Sequence, residues 1–269
     1  MKIGIVSDIH EDIIRLKEAL IFFEKQKCDK LVCLGDIVGF SAPFYGYFTT
    51  RSASKCIELI RSNFDVVVAG NHDLHSIKKL PEFNADVLYP SDFYDLDYHN
   101  QIMLFENVIW NYDKNSLNPL LTSSDADFLS GLNEFEILDT GNDKILFSHY
   151  IYPNVSGSKI EFYRESADFK QHFEFMERQK CNISISGHTH EEGAVVFDNQ
   201  SVKFNSFGRF KLKNDKIKSI IGPGIANGTS ANGFSIYDSN KKELRTIPLK
   251  SKRYRYPDCF KTDKNILQK

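Results

Sequence analysis

Apolar residues in this chain come in short β-branched runs, separated by stretches with helical spacing, and each run stops abruptly at polar residues. Residues 3–6 (Ile-Gly-Ile-Val) form such a run and read as a buried strand. From residue 12 to 25, Ile13, Leu16, Leu20 and Phe23 recur three or four positions apart, which predicts a helix. Residues 31–34 and 66–69 read as two further strands, with a second helix over 54–61 between them. Strand, helix, strand, helix, strand implies a parallel sheet with right-handed crossovers.

The middle third breaks this rhythm. Residues 73–140 read as mostly helical and carry many aromatics, among them Phe83, Tyr89, Phe93, Tyr94, Tyr98, Phe105, Trp110 and Tyr112. Ser123-Ser124, ahead of Asp125, reads as a helix N-cap. We take residues 75–140 as a mainly helical lid inserted into a single domain spanning 1–269, and most of its aromatics as its own core. Strand-like runs then resume at 144–147, 183–185, 194–197, 202–204, 217–221, 234–237 and 244–248, with a helix expected over 166–179. Turn residues at Asp198-Asn199, Asn214-Asp215 and Ser239-Asn240 predict antiparallel hairpins. The tail over 250–255 is basic and aromatic, and reads as a solvated terminus.

Polar clusters follow five of these strands. They are Asp8-Ile9-His10, Gly35-Asp36, Gly70-Asn71-His72-Asp73, Ser148-His149 and Gly187-His188-Thr189-His190. Open α/β sheets bind ligands at the carboxyl ends of their strands, so five clusters at five such ends should converge in space. Gly35, Gly70 and Gly187 each precede a cluster, where glycine would permit sharp turns and positive φ. Mixed imidazole and oxygen donors suit Mn, Fe, Zn, Co or Ni rather than Ca or Mg alone. Any one of these histidines alone would more often be structural than ligating; the ordered set is what points to a metal centre.

Composition narrows the partners. Apolar residues make up 41% and charged residues 26%, ordinary for a globular domain, and the formal charge is −2. Nothing global therefore calls for nucleic acid or an anionic membrane, and affinity for phosphate must be local. No apolar run reaches 18 residues, and the opening run is too short for a signal peptide. Cys28, Cys33, Cys56, Cys181 and Cys259 are odd in number and form no C-x-x-C, which predicts reduced thiols and a cytoplasmic protein.

The ordered motifs D-x-H, G-D, G-N-H-[ED], an isolated H and G-H-x-H resemble those of the calcineurin-like metallophosphoesterase superfamily. They are carried here by Asp8 and His10; Asp36; Asn71, His72 and Asp73; His149; and His188 and His190. The resemblance implies a two-sheet αββα sandwich. It implies one divalent ion on Asp8, His10 and His190 and another on Asn71, His149 and His188, bridged by Asp36. His72 would face the scissile phosphate as the catalytic histidine, and Asp73 could orient its imidazole. Gly35-Asp36-Ile37-Val38-Gly39-Phe40 is similar to the bacterial phosphodiesterase-like branch and lacks the D-R-G of protein Ser/Thr phosphatases. Gly222-Pro223-Gly224 resembles that branch's N-P-G-S turn, but Gly222 stands in the usual Asn place and Ile225 in the usual Ser place.

The implied activity is dinuclear metal-dependent hydrolysis of a small phosphate ester, with manganese as the leading ion and Fe, Zn, Ni, Co or Mg as alternatives. A phosphodiesterase leads. A phosphomonoesterase or dinucleoside polyphosphate hydrolase comes next, and a nuclease third for want of a broad basic surface. The non-enzymatic alternative is a scaffold of the same fold, which should have lost ligands.

Overall fold

The computed structural model describes residues 1–110, 112, 116–163, 165–212 and 217–255. In chain order its strands are β1 (Lys2–Val6), β2 (Lys30–Cys33), β3 (Phe40–Ser41), β4 (Val66–Val67), β5 (Ser116–Leu117), β6 (Phe135–Asp139) and β7 (Lys144–Ser148). They continue as β8 (Ile183–Ser186), β9 (Ala194–Asp198), β10 (Ser201–Asn205), β11 (Gly208–Lys211), β12 (Lys218–Ile221), β13 (Gly233–Asp238) and β14 (Glu243–Pro248). The α-helices are α1 (Ile13–Gln26), α2 (Ala53–Asn63), α3 (Asn71–Ser76), α4 (Tyr98–Phe105), α5 (Ser123–Ser130) and α6 (Lys170–Arg178).

Two six-stranded sheets pack face to face. The first runs β11-β14-β13-β1-β2-β4 and the second β10-β9-β12-β8-β7-β6. Ile3, Ile5, Val32 and Leu34 of the first meet Ile145, Phe147, Ile183 and Ile185 of the second in one buried cluster. The outer face of the first sheet packs Phe234 and Ile236 against Leu16, Phe23, Ile57 and Ile60 of α1 and α2. That of the second packs Leu146, Val195 and Phe197 against Phe173 and Met176 of α6. Strands covered on both faces need near-continuous apolar runs, which is why residues 3–6 and 144–147 were legible. This is the αββα sandwich.

Register fixes where the site lies. β1, β2 and β4 are parallel, with Val6 opposite Cys33 and Cys33 opposite Val67, so the chain leaves all three at one edge. β7 and β8 are likewise parallel, with Phe147 opposite Ile185. Each pair is joined through a helix, as parallel strands require.

The inserted segment departs from expectation at its end. Its regular elements are mostly helical, but Phe135–Asp139 is β6, an edge strand antiparallel to β7. Its residues are only half-buried, so no apolar run marked it. β11 is a half-exposed edge strand missed for the same reason. The cap of α5 is Thr122 rather than Ser123: Asp125 N–H donates to Thr122 Oγ1 at 3.2 Å and Thr122 N–H donates to Asp125 Oδ2 at 2.9 Å, a capping box. The hairpins β9–β10 and β13–β14 form as expected; the Asn214-Asp215 turn lies outside the described residues. Cys28, Cys33, Cys56 and Cys181 are free thiols, and Cys259 lies outside the described residues. No helix among the described residues is long and apolar enough to cross a membrane.

Candidate metal centre

The loops after the strands fold back on one another. Ile9 and His10 N–H both donate to the Asp36 carbonyl, at 2.8 and 2.9 Å, and Gly187 N–H donates to the His149 carbonyl at 2.9 Å. This winding puts Asp8 (φ 54°), His10 (φ 47°), Asp36 (φ 52°), His188 (φ 70°) and His190 (φ 51°) in the left-handed region. Non-glycine residues seldom adopt it, and surrounding structure must hold them there.

Three donor sets converge: Asp8, His10 and His190; His10, Asp36 and His72; and Asp36, His149 and His188. Asn71 lines the same cleft as His10, Asp36 and His188. Several of these side chains are fixed at one atom by the backbone. His10 Nδ1 bonds the Gly39 carbonyl at 2.8 Å and His149 Nδ1 bonds the Leu34 carbonyl at 2.7 Å. A proton on Nδ1 leaves Nε2 as the ligating atom. Asp8 Oδ2 accepts from His188 N–H at 3.1 Å and Asp36 Oδ1 from His72 N–H at 2.9 Å. Asp36 Oδ2 pairs with His149 Nε2 at 3.2 Å and sits 3.7 Å from His10 Nε2, between two histidines of different sets. Asp8 Oδ1 lies 3.4 Å from His190 Nε2. Asp8 Oδ1, His10 Nε2 and Asn71 Oδ1 are buried without a hydrogen-bond partner. Leaving buried polar atoms unpaired costs about 1–3 kcal/mol each, so such atoms clustered together mark a site for a cation. The residues therefore fit two divalent ions.

Two glycines act otherwise than their sequence context implied. Gly35 is left-handed (φ 91°), as expected. Gly70 and Gly187 do not have positive φ; they are there for close approach. A Cβ on Gly70 would lie 2.2 Å from Asp36 Oδ1, and one on Gly187 would lie 1.9 Å from Ser7 Oγ.

Asp73 also differs from expectation. Its Oδ1 accepts from the N–H groups of Ile37 and Val38, at 2.9 and 3.1 Å, and its Oδ2 from Gly70 N–H at 3.0 Å. It braces the Asp36 loop against the start of α3 rather than orienting the His72 imidazole. The cause is geometric: Asp73 lies in the first helical turn, where its carboxylate reaches free amides. His72 itself borders the cleft, with its ring edge-on to His10 at 4.8 Å.

The charges are strongly coupled. Burial opposes ionisation of Asp36, yet the imidazoles of His149 and His72 outweigh it and hold the carboxyl well below the usual range. Burial likewise disfavours a charged His149, but Asp36 and Asp8 push it up to about 9. Burial pulls His72 down to about 3 against the attraction of Asp36, so its ring is neutral.

The cleft, about 370 Å3, lies over these residues. Tyr45 and Phe44 form part of its wall, and the stretch 224–232 another part. That stretch is held at the centre by Ile225 and Ala226 N–H, which donate to the carbonyls of Ser7 and Asp8 at 2.9 and 3.0 Å. A buried Ile225 thus fills the usual Ser place and serves through its backbone. The inserted segment contributes Trp110, Tyr112 and Ser116. The Trp110 ring lies 6.0 Å from His188. Tyr89 and Tyr94 pack with Phe93, and Tyr89 also with Phe105, as a small core. His75 packs on Tyr112, with ring centroids 4.2 Å apart, and His99 is exposed on α4. Tyr45 carried no local sequence signal, and Tyr112 stood out only as one of the segment's many aromatics, because only the long-range winding brings them here.

Residues 1–192 match the calcineurin-like phosphoesterase family. The chain belongs to that family. Among its relatives is the uncharacterized protein MJ0912 of Methanocaldococcus jannaschii, 22% identical over 265 residues that cover 91% of this chain and 86% of the relative. Among solved structures, a metallophosphoesterase from Sphaerobacter thermophilus superposes with a TM-score of 0.65 at 17% identity, covering 94% of this chain and 89% of that one. The hypothetical protein PH1004 from Pyrococcus horikoshii OT3 superposes with a TM-score of 0.57 at 13% identity, covering 99% and 93%. At such identities the likeness speaks for the fold.

Proposed function

We propose that this chain is a cytoplasmic, dinuclear metal-dependent phosphodiesterase acting on small phosphate esters. Asp8, His10 and His190 would hold one ion and Asn71, His149 and His188 the other, with Asp36 between them. The observation that carries this reading is Asp36 Oδ2, poised between His10 Nε2 and His149 Nε2 while its sister oxygen is fixed by a backbone amide. Bound there, two divalent ions, manganese foremost, supply Lewis acidity toward phosphoryl oxygens and a nucleophile at neutral pH.

The chain's own residues do the rest. The carbonyls of Gly39 and Leu34 hold His10 and His149 in the ligating tautomer. His72 borders the cleft as a neutral imidazole able to donate a hydrogen bond to an ester oxygen. Trp110 and Tyr45 offer aromatic walls to the group on phosphate. Among the described residues the cleft is lined by no Lys or Arg. A diester carries one negative charge, fewer than a polyphosphate, which suits a cleft with no cation of its own among the described residues. A scaffold without metal would leave Asp8 Oδ1, His10 Nε2 and Asn71 Oδ1 buried and unpaired.

The test is an assay of chelator-treated protein on bis-(nitrophenyl) phosphate and on nitrophenyl phosphate, with Mn, Mg, Ni or Zn restored. Turnover that needs the added ion and favours the diester is expected. Absence of turnover with every ion, or equal rates with and without chelator, overturns the proposal; a faster monoester overturns its diester half.

A further inference from the structure

Asn71 poses a problem the other candidate ligands do not. Its amide has an oxygen that can bind a cation and an NH2 of nearly the same shape that cannot. A half-turn of the side chain would therefore aim two N–H donors at a divalent ion. Something must set the orientation. The helix that begins at Asn71 does not supply it, because α3 engages its own first turn through Asp73.

Tyr112 does. Asn71 Nδ2 donates to the Tyr112 hydroxyl oxygen at 2.7 Å, while Asn71 Oδ1 is buried with no partner. The tyrosine ring is itself positioned: it stands edge-on to His72 with centroids 4.8 Å apart and lies against His75 at 4.2 Å. His72 and His75 are one turn apart on α3, so together they form a seat for the ring. Tyr112 also borders the cleft beside Asn71 and His72. We propose that Tyr112, from the inserted segment, is a positioning residue: its hydroxyl oxygen accepts from the Asn71 NH2 and so supports the orientation that leaves Oδ1 toward the second ion. The idea rests on the metal reading above. It makes that ion's seat depend on the insertion, although the insertion supplies no ligand itself.

Calorimetric titration of chelator-treated protein with Mn tests this without any turnover. Wild type should take up two ions. Tyr112→Phe keeps the ring and loses the hydroxyl; it should weaken one of the two sites about 10- to 100-fold, as loss of a ligand's hydrogen-bond partner typically does, and leave the other unchanged. A carboxylate offers an oxygen whichever way it turns, so adding Asn71→Asp to Tyr112→Phe should restore the weakened site. Two sites of wild-type affinity in Tyr112→Phe would overturn the proposal and leave the metal reading standing. A weakened site that Asn71→Asp does not restore would also overturn it, since the loss would then not be one of amide orientation. Wild-type protein that takes up no second ion would overturn both.

Discussion

His149 Nε2 lies 3.2 Å from Asp36 Oδ2, and this contact joins the two sheets, since His149 follows β7 and Asp36 follows β2. The same oxygen is 3.7 Å from His10 Nε2. One carboxylate oxygen thus faces histidines of two donor sets. Asp36→Asn should impair both ions, because the amide halves the acceptor capacity and removes the charge. His190→Ala should cost one ion. Elemental analysis after gel filtration decides: two tightly bound ions per chain in Asp36→Asn would remove Asp36 from the bridging position.

His72 belongs to one of the three donor sets, yet the seven other residues would suffice for two ions. His72→Ala should keep its metal and lose about 100- to 10,000-fold in rate, the range for a positioned acid or base. Proton donation to the leaving group predicts a larger loss for alkoxide than for nitrophenolate leaving groups; a uniform loss points to stabilisation of charge by the neutral imidazole. A variant that loses an ion would make His72 a ligand.

Trp110 is anchored, its Nε1–H donating to the Gly157 carbonyl at 2.9 Å, and its ring faces the cleft beside His188. Trp110→Leu should alter the ranking of diesters by kcat/KM while metal content stays at the parent value. An unchanged ranking in folded, metal-loaded variant would assign selectivity to Tyr45 and the 224–232 stretch instead.

A pH effect arises away from the metals. His172 is fully buried; its Nδ1 accepts from Tyr152 N–H at 3.0 Å and its Nε2 pairs with Ser184 Oγ at 2.8 Å. Burial lowers it from 6.5 to about 3. The unfolded chain therefore takes up a proton below pH 6.5 that the native chain refuses until about 3. The stability His172 contributes is full above that upper value and falls as pH drops through the window, by about 1.4 kcal/mol per pH unit at most. His172→Gln should melt below wild type at pH 7.5, with the gap narrowing by pH 5. A gap that stays constant or widens would show that His172 does not carry this effect.

The convergence of the candidate ligands was legible because their residue types carry chemistry and each follows a buried strand whose apolar run is visible locally. Asp8, His10, Asp36, His149, His188 and His190 needed only their order along the chain. The edge strands β6 and β11 were not legible, because half-exposed strands lack such a run. The β3–β5 pair joins residues more than seventy positions apart, a pairing no local pattern encodes. Gly70 and Gly187 were marked correctly as special, but the reason was not a turn: it is the proximity of Asp36 and Ser7, which only the folded winding creates. Asp73 and Tyr112 illustrate the same limit, since each acts on a partner fixed by tertiary contact.

The five left-handed residues at the centre have a consequence for how this chain tolerates change. Each such residue costs about 1 kcal/mol or more relative to glycine, and a domain's whole margin is about 5–15 kcal/mol. Bound ions would offset that cost; a chain that no longer needs them carries it for nothing. Replacing His190 by glycine should then raise the melting temperature of the chelated protein, and a fall would show that this loop holds no strain.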